Sequence, residues 1–161
     1  MRGVTALVIA LSVGGAAGAA AQGAVPGSQL DVSVVTVGAG GAVWERWGHD
    51  MIRIRDRTSG LDLVYNYGMF DFEEKGFLLH FLEGRLNYWT AAFYTAPTLQ
   101  FYRTQSHRSV WEQSLRLTPS ERLSLQRFLD WNGQPANRFY RYDYYRDNCS
   151  TRVRDALDRV L

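Results

Sequence analysis

Residues 47–67 read WGHDMIRIRDRTSGLDLVYNY, and this stretch predicts an antiparallel β-hairpin. Its first half alternates, with Ile52 and Ile54 on one face and Arg53 on the other. The segment RTSG at residues 57–60 is typical of a turn, and the apolar and aromatic segment LDLVYNY after it is typical of a strand. The two strands therefore pair, and the turn length determines which residues lie opposite one another.

The register of this hairpin places a polar side chain near a histidine. A turn of four residues puts Met51 opposite Asn66, so that Asn66 lies on the same face as His49. A register shifted by two residues puts Asn66 directly opposite His49. A slip of one residue moves every side chain to the other face and presents Tyr65 or Tyr67 instead.

The segments around the hairpin predict strands first and helices later, which is an α+β pattern. The clearest helix start is Thr118-Pro119-Ser120-Glu121, a capping box with proline at the first helical position, and Asn132-Gly133 ends that helix. A last helix begins at Cys149, where Asp147-Asn148 can cap it. Further strands are predicted at Leu30–Val37, Ser109–Leu117 and Phe139–Tyr145, and a helix is predicted around Phe77, Leu78 and Phe81 with Gly84 as its stop.

The N-terminus predicts a secretory signal peptide. Met1-Arg2 gives a positive start, residues 4–13 are apolar and uncharged, and Ala19-Ala20-Ala21 forms a cleavage motif. The apolar run is too short for a membrane-spanning helix, which needs about 20 such residues. We expect export to the periplasm or to the outer face of the inner membrane. The expected parts are a signal peptide at 1–21, a flexible leader at 22–29 and one domain at 30–161.

The charge balance and the motif content argue against several classes of function. The chain has 18 Lys and Arg against 16 Asp and Glu, a net charge of +2, so we expect no nucleic-acid partner. No glycine-rich phosphate loop opens a helix, so no nucleotide cofactor is expected. The three His and one Cys are widely separated and form no zinc pattern, so no metal is expected.

Cys149 and His49 are the candidate catalytic pair. Cys149 falls in the first turn of the predicted last helix, where unpaired N–H groups and the helix dipole lower the pKa of a thiol from about 8.5. His49 follows Gly48 at the start of a strand, which leaves room for another group to approach the imidazole. A histidine on a strand and a cysteine at a helix start form a thiol–imidazole nucleophilic site. The alternative is that Cys149 is a small, buried, inert residue.

Asn66 is the candidate third member of this site. Its amide can accept a hydrogen bond from one imidazole nitrogen, which fixes the tautomer and directs the other nitrogen toward the thiol. Gln113 and Asp50 are alternatives for this supporting role.

Four blocks of the sequence resemble one bacterial family in the family's own order. They are residues 47–54 (WGHDMIRI), 65–72 (YNYGMFDF), 84–89 (GRLNYW) and 142–152 (YDYYRDNCSTR). The family is the N-terminal periplasmic domain of the Lnb-type lipoprotein N-acyltransferases, formerly a domain of unknown function, and the resemblance extends over residues 30–161. It is related to permuted papain-like thiol enzymes of the NlpC/P60 type, in which the histidine strand precedes the cysteine helix. The resemblance implies an antiparallel sheet packed against helices, with His49 on a strand and Cys149 at a helix N-terminus.

The resemblance also implies an acyl transfer in the cell envelope that needs no cofactor. Cys149 would be the nucleophile and His49 its base. Backbone N–H groups at the start of the last helix would form an oxyanion hole, with Asn148 as an extra donor. The acyl chain would pass from an ester to Cys149 and then to the α-amine of a lipoprotein. The implied partners are lipid-modified lipoproteins or phospholipid acyl donors.

Family members usually continue beyond the cysteine helix, whereas this chain stops at Leu161 within it. The resemblance therefore implies a C-terminally truncated or stand-alone form of the domain. Aromatic side chains between residues 88 and 102 have three interpretations, as core, as an acyl-chain groove or as a patch for a membrane surface.

Two other functions fit the same residues. A thiol hydrolase of the NlpC/P60 kind would use the same pair to cleave a peptide, isopeptide or ester bond, with water as the acceptor. A non-catalytic envelope binding domain would leave Cys149 inert. An acyltransferase should have an apolar channel leading to Cys149, whereas a peptidase should have a polar, open cleft.

Overall fold

The computed structural model describes residues 23–71, 73, 79, 80, 83 and 87–161. The predicted signal peptide lies outside the described residues, and so does the predicted helix around Phe77, Leu78 and Phe81 with its stop at Gly84. The described part of the chain is an α+β structure with a six-stranded antiparallel sheet and helices packed on it, which confirms the predicted class.

Six strands form one sheet in which every neighbouring pair is antiparallel. They are β1 (Leu30–Val37), β2 (His49–Asp56), β3 (Asp62–Met69), β4 (Asn87–Tyr94), β5 (Val110–Ser114) and β6 (Phe139–Arg141). Their order across the sheet is β5-β1-β2-β3-β4-β6. The helices are α1 (Thr95–Gln100), which continues into a π-helical turn at Phe101–Gln105, α2 (Pro119–Asn132) and α3 (Cys149–Asp158). A 3-10 turn at Val43–Glu45 precedes β2.

The central hairpin has the register that a four-residue turn predicts. β2 and β3 pair Met51 with Asn66, so the predicted register is confirmed. The carboxylate of Asp56 stabilises the turn, because it accepts a hydrogen bond from the N–H of Thr58 at 2.7 Å. The turn therefore determines which face of the sheet each later residue occupies.

Each face of the sheet carries its own layer of core residues, since side chains alternate along a strand. Ile52 and Ile54 face α2 and α3, where Leu125 and Val153 belong to the same buried cluster. Met51 lies on the opposite face, in a smaller cluster with Val35, Val37, Val64 and Leu99. α2 and α3 are thus fixed to one face of the sheet. Among the described residues, no helix has the length and apolar character needed to cross a membrane.

The helix that begins after Thr118 has the predicted capping box. The hydroxyl of Thr118 accepts from the N–H of Glu121 at 3.3 Å, and the Glu121 carboxylate accepts from the N–H of Thr118 at 2.7 Å. The helix ends at Asn132, and Gly133 is its C-cap, so both predicted ends are confirmed.

Two predicted strands are shorter in the structure than in the sequence analysis. β5 covers only Val110–Ser114 of the predicted Ser109–Leu117, and β6 covers only Phe139–Arg141 of the predicted Phe139–Tyr145. Both are edge strands with a single partner, β1 and β4 respectively. β6 stops at the pair of Arg141 with Asn87, where β4 begins, whereas beyond β5 the N–H of Leu115 still donates to the carbonyl oxygen of Val32 at 2.9 Å. The chain beyond β6 turns instead toward α3, and this brings Cys149 back to the sheet.

Candidate active site

Cys149 is the first residue of α3, and the residue before it caps that helix. The Asn148 side chain accepts from the N–H of Thr151 at 2.9 Å, and the N–H of Asn148 donates to the Thr151 hydroxyl at 2.8 Å. This reciprocal pair fixes the first helical turn. The first N–H groups of a helix have no partner inside the helix, so the partly buried thiol of Cys149 lies where a negative charge is favoured.

His49 is the first residue of β2, and Gly48 sets its position. Gly48 has a φ of +76°, and a Cβ there would lie 2.8 Å from the carbonyl oxygen of Val37. Only glycine fits this turn into the strand without strain. The backbone conformation beside His49 thus requires glycine. This reason differs from the one given in the sequence analysis, which was the room that Gly48 leaves for a group to approach the imidazole.

Asn66 contacts the imidazole from the neighbouring strand. The Nε2 of His49 and the Oδ1 of Asn66 are 2.7 Å apart, and Asn66 is only 5% exposed. Because an amide oxygen can only accept, Nε2 carries the proton in this contact. Nδ1 is then the imidazole nitrogen left for the thiol of Cys149, with which His49 also forms a hydrogen bond.

The pKa values of the thiol and the imidazole shift in opposite directions. Burial alone would raise the pKa of the Cys149 thiol, but the hydrogen bond and positive charge of His49 outweigh it and lower that pKa. The backbone N–H of Asp50 also favours the thiolate. For His49, burial and the charge of Arg108 oppose protonation, yet the thiolate and Asn66 raise the pKa of the imidazole. These shifts favour a thiolate–imidazolium pair.

A cavity of about 340 Å³ opens onto this pair, and Cys149, His49 and Asn66 all line it. Small-ligand pockets generally have volumes of ~300–1,000 Å³. The remaining walls are mainly aromatic and include Trp44, Trp47, Phe70, Tyr88, Phe101, Tyr102, Tyr142 and Tyr144. Three of these residues, Tyr88, Phe101 and Tyr102, come from the aromatic stretch noted in the sequence.

The structure brings some of the predicted supporting residues to the site and leaves others away from it. Gln113 lies exposed on the edge strand β5, opposite Val34, and it is not among the residues that line the cavity. Gln113 lies at the edge of the sheet because β5 pairs only with β1, which separates β5 from the strand β2 that carries His49. Asn148 is adjacent to Cys149, but its side chain caps α3 and its Nδ2 donates to the carbonyl oxygen of Tyr144 at 2.8 Å. The structure therefore uses Asn148 as a helix cap.

Asp50, the other alternative for the supporting role, does not contact the imidazole through its carboxylate. Its Oδ1 accepts from the hydroxyl of Thr36 at 2.8 Å, and its Oδ2 accepts from the hydroxyl of Ser150 at 2.6 Å. Among the three candidates, Asn66 is the one whose side chain bonds to His49.

Tyr102 and Arg108 support Asn66 from behind, and the sequence analysis did not assign them this role. The Tyr102 hydroxyl forms a hydrogen bond with the Asn66 side chain, and its ring centroid lies 6.4 Å from that of His49. Arg108 is 6% exposed and holds its Cζ 5.3 Å from the centre of the Tyr102 ring. It is fixed by the carbonyl oxygen of Gly38 at 2.7 Å and by Glu45 at 3.3 Å. No sequence signal distinguishes Arg108 in a chain so rich in arginine.

Within the ranges that the structure describes, no group of three or more His, Cys, Asp or Glu side chains could hold a metal ion. The described residues place a partly buried thiol, whose pKa is lowered, beside an imidazole whose pKa is raised.

Comparison with known proteins identifies the family. A family model described as the Lnb N-terminal periplasmic domain matches residues 18–161, a range that includes His49, Asn66 and Cys149. No curated protein and no solved structure gives a significant match to the chain. The match covers nearly all of the chain and agrees with the resemblance carried by the four sequence blocks. The chain therefore belongs to the family of Lnb N-terminal periplasmic domains.

Proposed function

We propose that this domain is an envelope thiol acyltransferase that moves a fatty acyl chain through a Cys149 thioester to the α-amine of a bacterial lipoprotein. The observation that carries the proposal is the position of Cys149 on the wall of a mainly aromatic cavity, beside His49 and Asn66. The order of the chain, with the histidine strand before the cysteine helix, supports grouping the domain with permuted papain-like enzymes of the NlpC/P60 type.

In the first step, the thiolate of Cys149 attacks the carbonyl carbon of a fatty ester. A C–S bond forms, the ester C–O bond breaks, and the leaving alkoxide takes a proton from the His49 imidazolium. The N–H groups at the start of α3 are suited to stabilise the negative oxygen of the intermediate. The product of this step is a thioester, an alcohol and a neutral imidazole.

In the second step, the α-amine attacks the carbonyl carbon of the thioester. The neutral His49 accepts the proton that the amine loses, an amide C–N bond forms, and the C–S bond breaks to restore the thiolate. Asn66 accepts from Nε2 in both steps, so it keeps Nδ1 directed at the reacting groups. This sequence returns the thiolate–imidazolium pair to its starting state.

The walls of the cavity support a fatty substrate over a peptide. Apolar and aromatic surface favours an acyl chain because burying each CH₂ contributes about 0.8 kcal/mol. The walls around Cys149 are mainly aromatic, which is not the polar lining that we expect for a peptidase. The substrates we propose are lipid-modified lipoproteins or phospholipid acyl donors.

Exposed aromatic residues at the cavity support a position at a membrane surface. Trp47 lines the cavity and is 74% exposed, and its ring centroid lies 5.9 Å from that of Tyr144. Tyr145, the next residue, is 91% exposed. Tryptophan and tyrosine are enriched at the lipid–water boundary. We infer that the cavity receives its acyl chain from lipids at the outer face of the inner membrane.

The test is to incubate the purified protein with a diacylglyceryl lipopeptide and to follow both partners by mass spectrometry. We expect an acyl adduct on Cys149 and an N-acylated lipopeptide. Cys149→Ala should abolish both products, and His49→Ala should slow transfer by about 100-fold or more. His107→Ala changes an exposed histidine outside the cavity and should leave transfer unchanged.

Two results would contradict the proposal. Release of free fatty acid without an N-acylated product would indicate a thiol hydrolase. An absence of any Cys149 adduct with every ester tested would indicate a non-catalytic binding domain.

A further inference from the structure

The residues that follow His49 and Cys149 in the sequence bond directly to each other. The Oδ2 of Asp50 accepts a hydrogen bond from the hydroxyl of Ser150 at 2.6 Å. This bond joins β2 to the first turn of α3 across 100 residues of sequence. The Oδ1 of the same carboxylate accepts from Thr36 on β1 at 2.8 Å, so the two oxygens of Asp50 bond to different elements.

The geometry of the sheet explains why such a bond is needed. His49 and Asp50 point to opposite faces of the sheet, since side chains alternate along β2. α3 packs on the face that carries Ile52, which is the face of Asp50 and not that of His49. Cys149 therefore meets the imidazole around the end of the strand. A small shift of α3 along β2 would separate the thiol from His49, although the helix would stay packed on the sheet.

We propose that Asp50 and Ser150 are positioning residues, whose hydrogen bond holds the start of α3 against β2 so that Cys149 lies within reach of His49. The inference rests on the proposed thiol–imidazole site and adds the hydrogen bond that keeps its two residues together. The backbone N–H of Asp50 and the side chain of Ser150 both lower the pKa of the Cys149 thiol, so each residue acts on the thiol as well as on the other. Loss of the side-chain bond is expected to loosen both contacts.

The proposal is tested by the rate of Cys149 alkylation by iodoacetamide as a function of pH, which requires no lipid substrate. We expect Ser150→Ala and Asp50→Ala each to raise the midpoint of thiolate formation by about half to one pH unit. The double variant should shift it no further than the larger single change, because the two residues act as one unit. Ser150→Thr keeps the hydroxyl and should restore the wild-type midpoint.

Asp50→Ala separates positioning from electrostatics. Removing a carboxylate near a thiolate would by itself lower the pKa of the thiol, so a raised midpoint has the opposite sign to the charge effect. Thr36→Val is the matched control, because it removes the other hydrogen bond of Asp50 without touching α3, and it should leave the midpoint unchanged. The bond between Asp50 and Ser150 is exposed, so we expect each variant to keep the thermal unfolding midpoint of the wild type within a few degrees.

Three outcomes would overturn the positioning role: a lowered midpoint in Asp50→Ala with a raised one in Ser150→Ala, additive shifts in the double variant, or an equal shift in Thr36→Val. The first would mean that Ser150 affects the thiol only through its own hydroxyl and not by positioning α3. A wild-type midpoint near 8.5 that does not respond to His49→Ala would instead contradict the proposed thiol–imidazole site itself.

Discussion

At the scale of single residues, the site depends on one imidazole that bonds to two different partners. Nε2 of His49 donates to the Oδ1 of Asn66, and the other ring nitrogen, Nδ1, is left for the thiol of Cys149. Burial would keep both the thiol and the imidazole neutral. The attraction between the two charged forms outweighs burial, lowering the pKa of Cys149 and raising that of His49. Asn66 adds to this effect because its amide oxygen accepts a hydrogen bond from the N–H of the imidazolium.

Asn66→Ala should therefore weaken the pair without removing it. The loss of the acceptor lowers the pKa of His49, and the weaker imidazolium in turn raises the pKa of Cys149. We expect the alkylation rate of Cys149 at pH 7 to fall by about fivefold to tenfold, and the pH profile to move to higher pH. In the wild type, the rate should rise with pH through the pKa of Cys149, which lies below that of an ordinary thiol.

His49→Ala is the reference for this measurement and should shift the profile further than Asn66→Ala does. An Asn66→Ala profile that coincides with the wild type would mean that the amide does not act on the imidazole.

At the scale of elements, the two residues of the candidate site lie at the first positions of a strand and a helix. Gly48 turns the chain into β2 immediately before His49, and Asn148 caps α3 immediately before Cys149. Element ends present backbone groups that the elements themselves do not satisfy, and such groups can stabilise a thiolate or a developing oxyanion. The interiors of β2 and α3 serve mainly to pack the two ends against each other.

The chain has two helix caps of the same kind, at α2 and α3. Comparing them separates an effect on the free energy of unfolding from an effect on the pKa of the Cys149 thiol. Asn148→Ala removes the cap of α3, and Thr118→Ala removes the cap of α2. Each should lower the free energy of unfolding by about 1 kcal/mol. Only Asn148→Ala should also raise the midpoint of Cys149 alkylation, because it loosens the turn that carries the thiol.

Chemical denaturation gives the stability of both variants, and the iodoacetamide profile gives the midpoint. An equal shift of the midpoint in Thr118→Ala would show that the thiol responds to overall stability and not to its own helix turn.

At the scale of the whole molecule, the cavity is assembled from segments far apart in sequence. Its walls come from the turn before β2, the end of β3, the π-helical turn after α1 and the loop before α3. The aromatic residues from these segments converge on the thiol, and part of their surface stays open to solvent. A cavity whose aromatic wall extends to the surface is suited to a substrate held in a lipid layer.

The membrane position can be tested with vesicles of phosphatidylethanolamine and phosphatidylglycerol. A variant with both Trp47→Ser and Tyr145→Ser should bind these vesicles at least about tenfold more weakly, because it loses two exposed aromatic side chains beside the cavity. Trp131→Ser is the matched control, since Trp131 is 51% exposed on α2 and does not line the cavity. Co-sedimentation measures the binding. Equal loss in the control, or no loss in the double variant, would argue against a membrane surface at this cavity.

The sequence by itself determined the central hairpin and the limits of α2, and it singled out His49 and Cys149 as the candidate pair. The turn of four residues specifies which residues oppose each other, so the pairing of Met51 with Asn66 follows from counting alone. The capping residues of α2 mark its ends because their side chains bond to backbone groups close in sequence. Such features are local, and local features can be recognised without knowing how the chain folds back on itself.

Only the tertiary structure decided which polar residues reach the imidazole and what surrounds the thiol. Gln113 and Asn66 both lie on strands. Gln113 is on β5 at the edge of the sheet, whereas Asn66 is on β3, beside the strand β2 that carries His49. The bond between Asp50 and Ser150 and the stacking of Arg108 on Tyr102 likewise join segments that no sequence periodicity relates. Strand order and the approach of α3 depend on the burial of many side chains at once. For that physical reason, the hairpin could be derived from its own residues, whereas the assembled cavity required the whole fold.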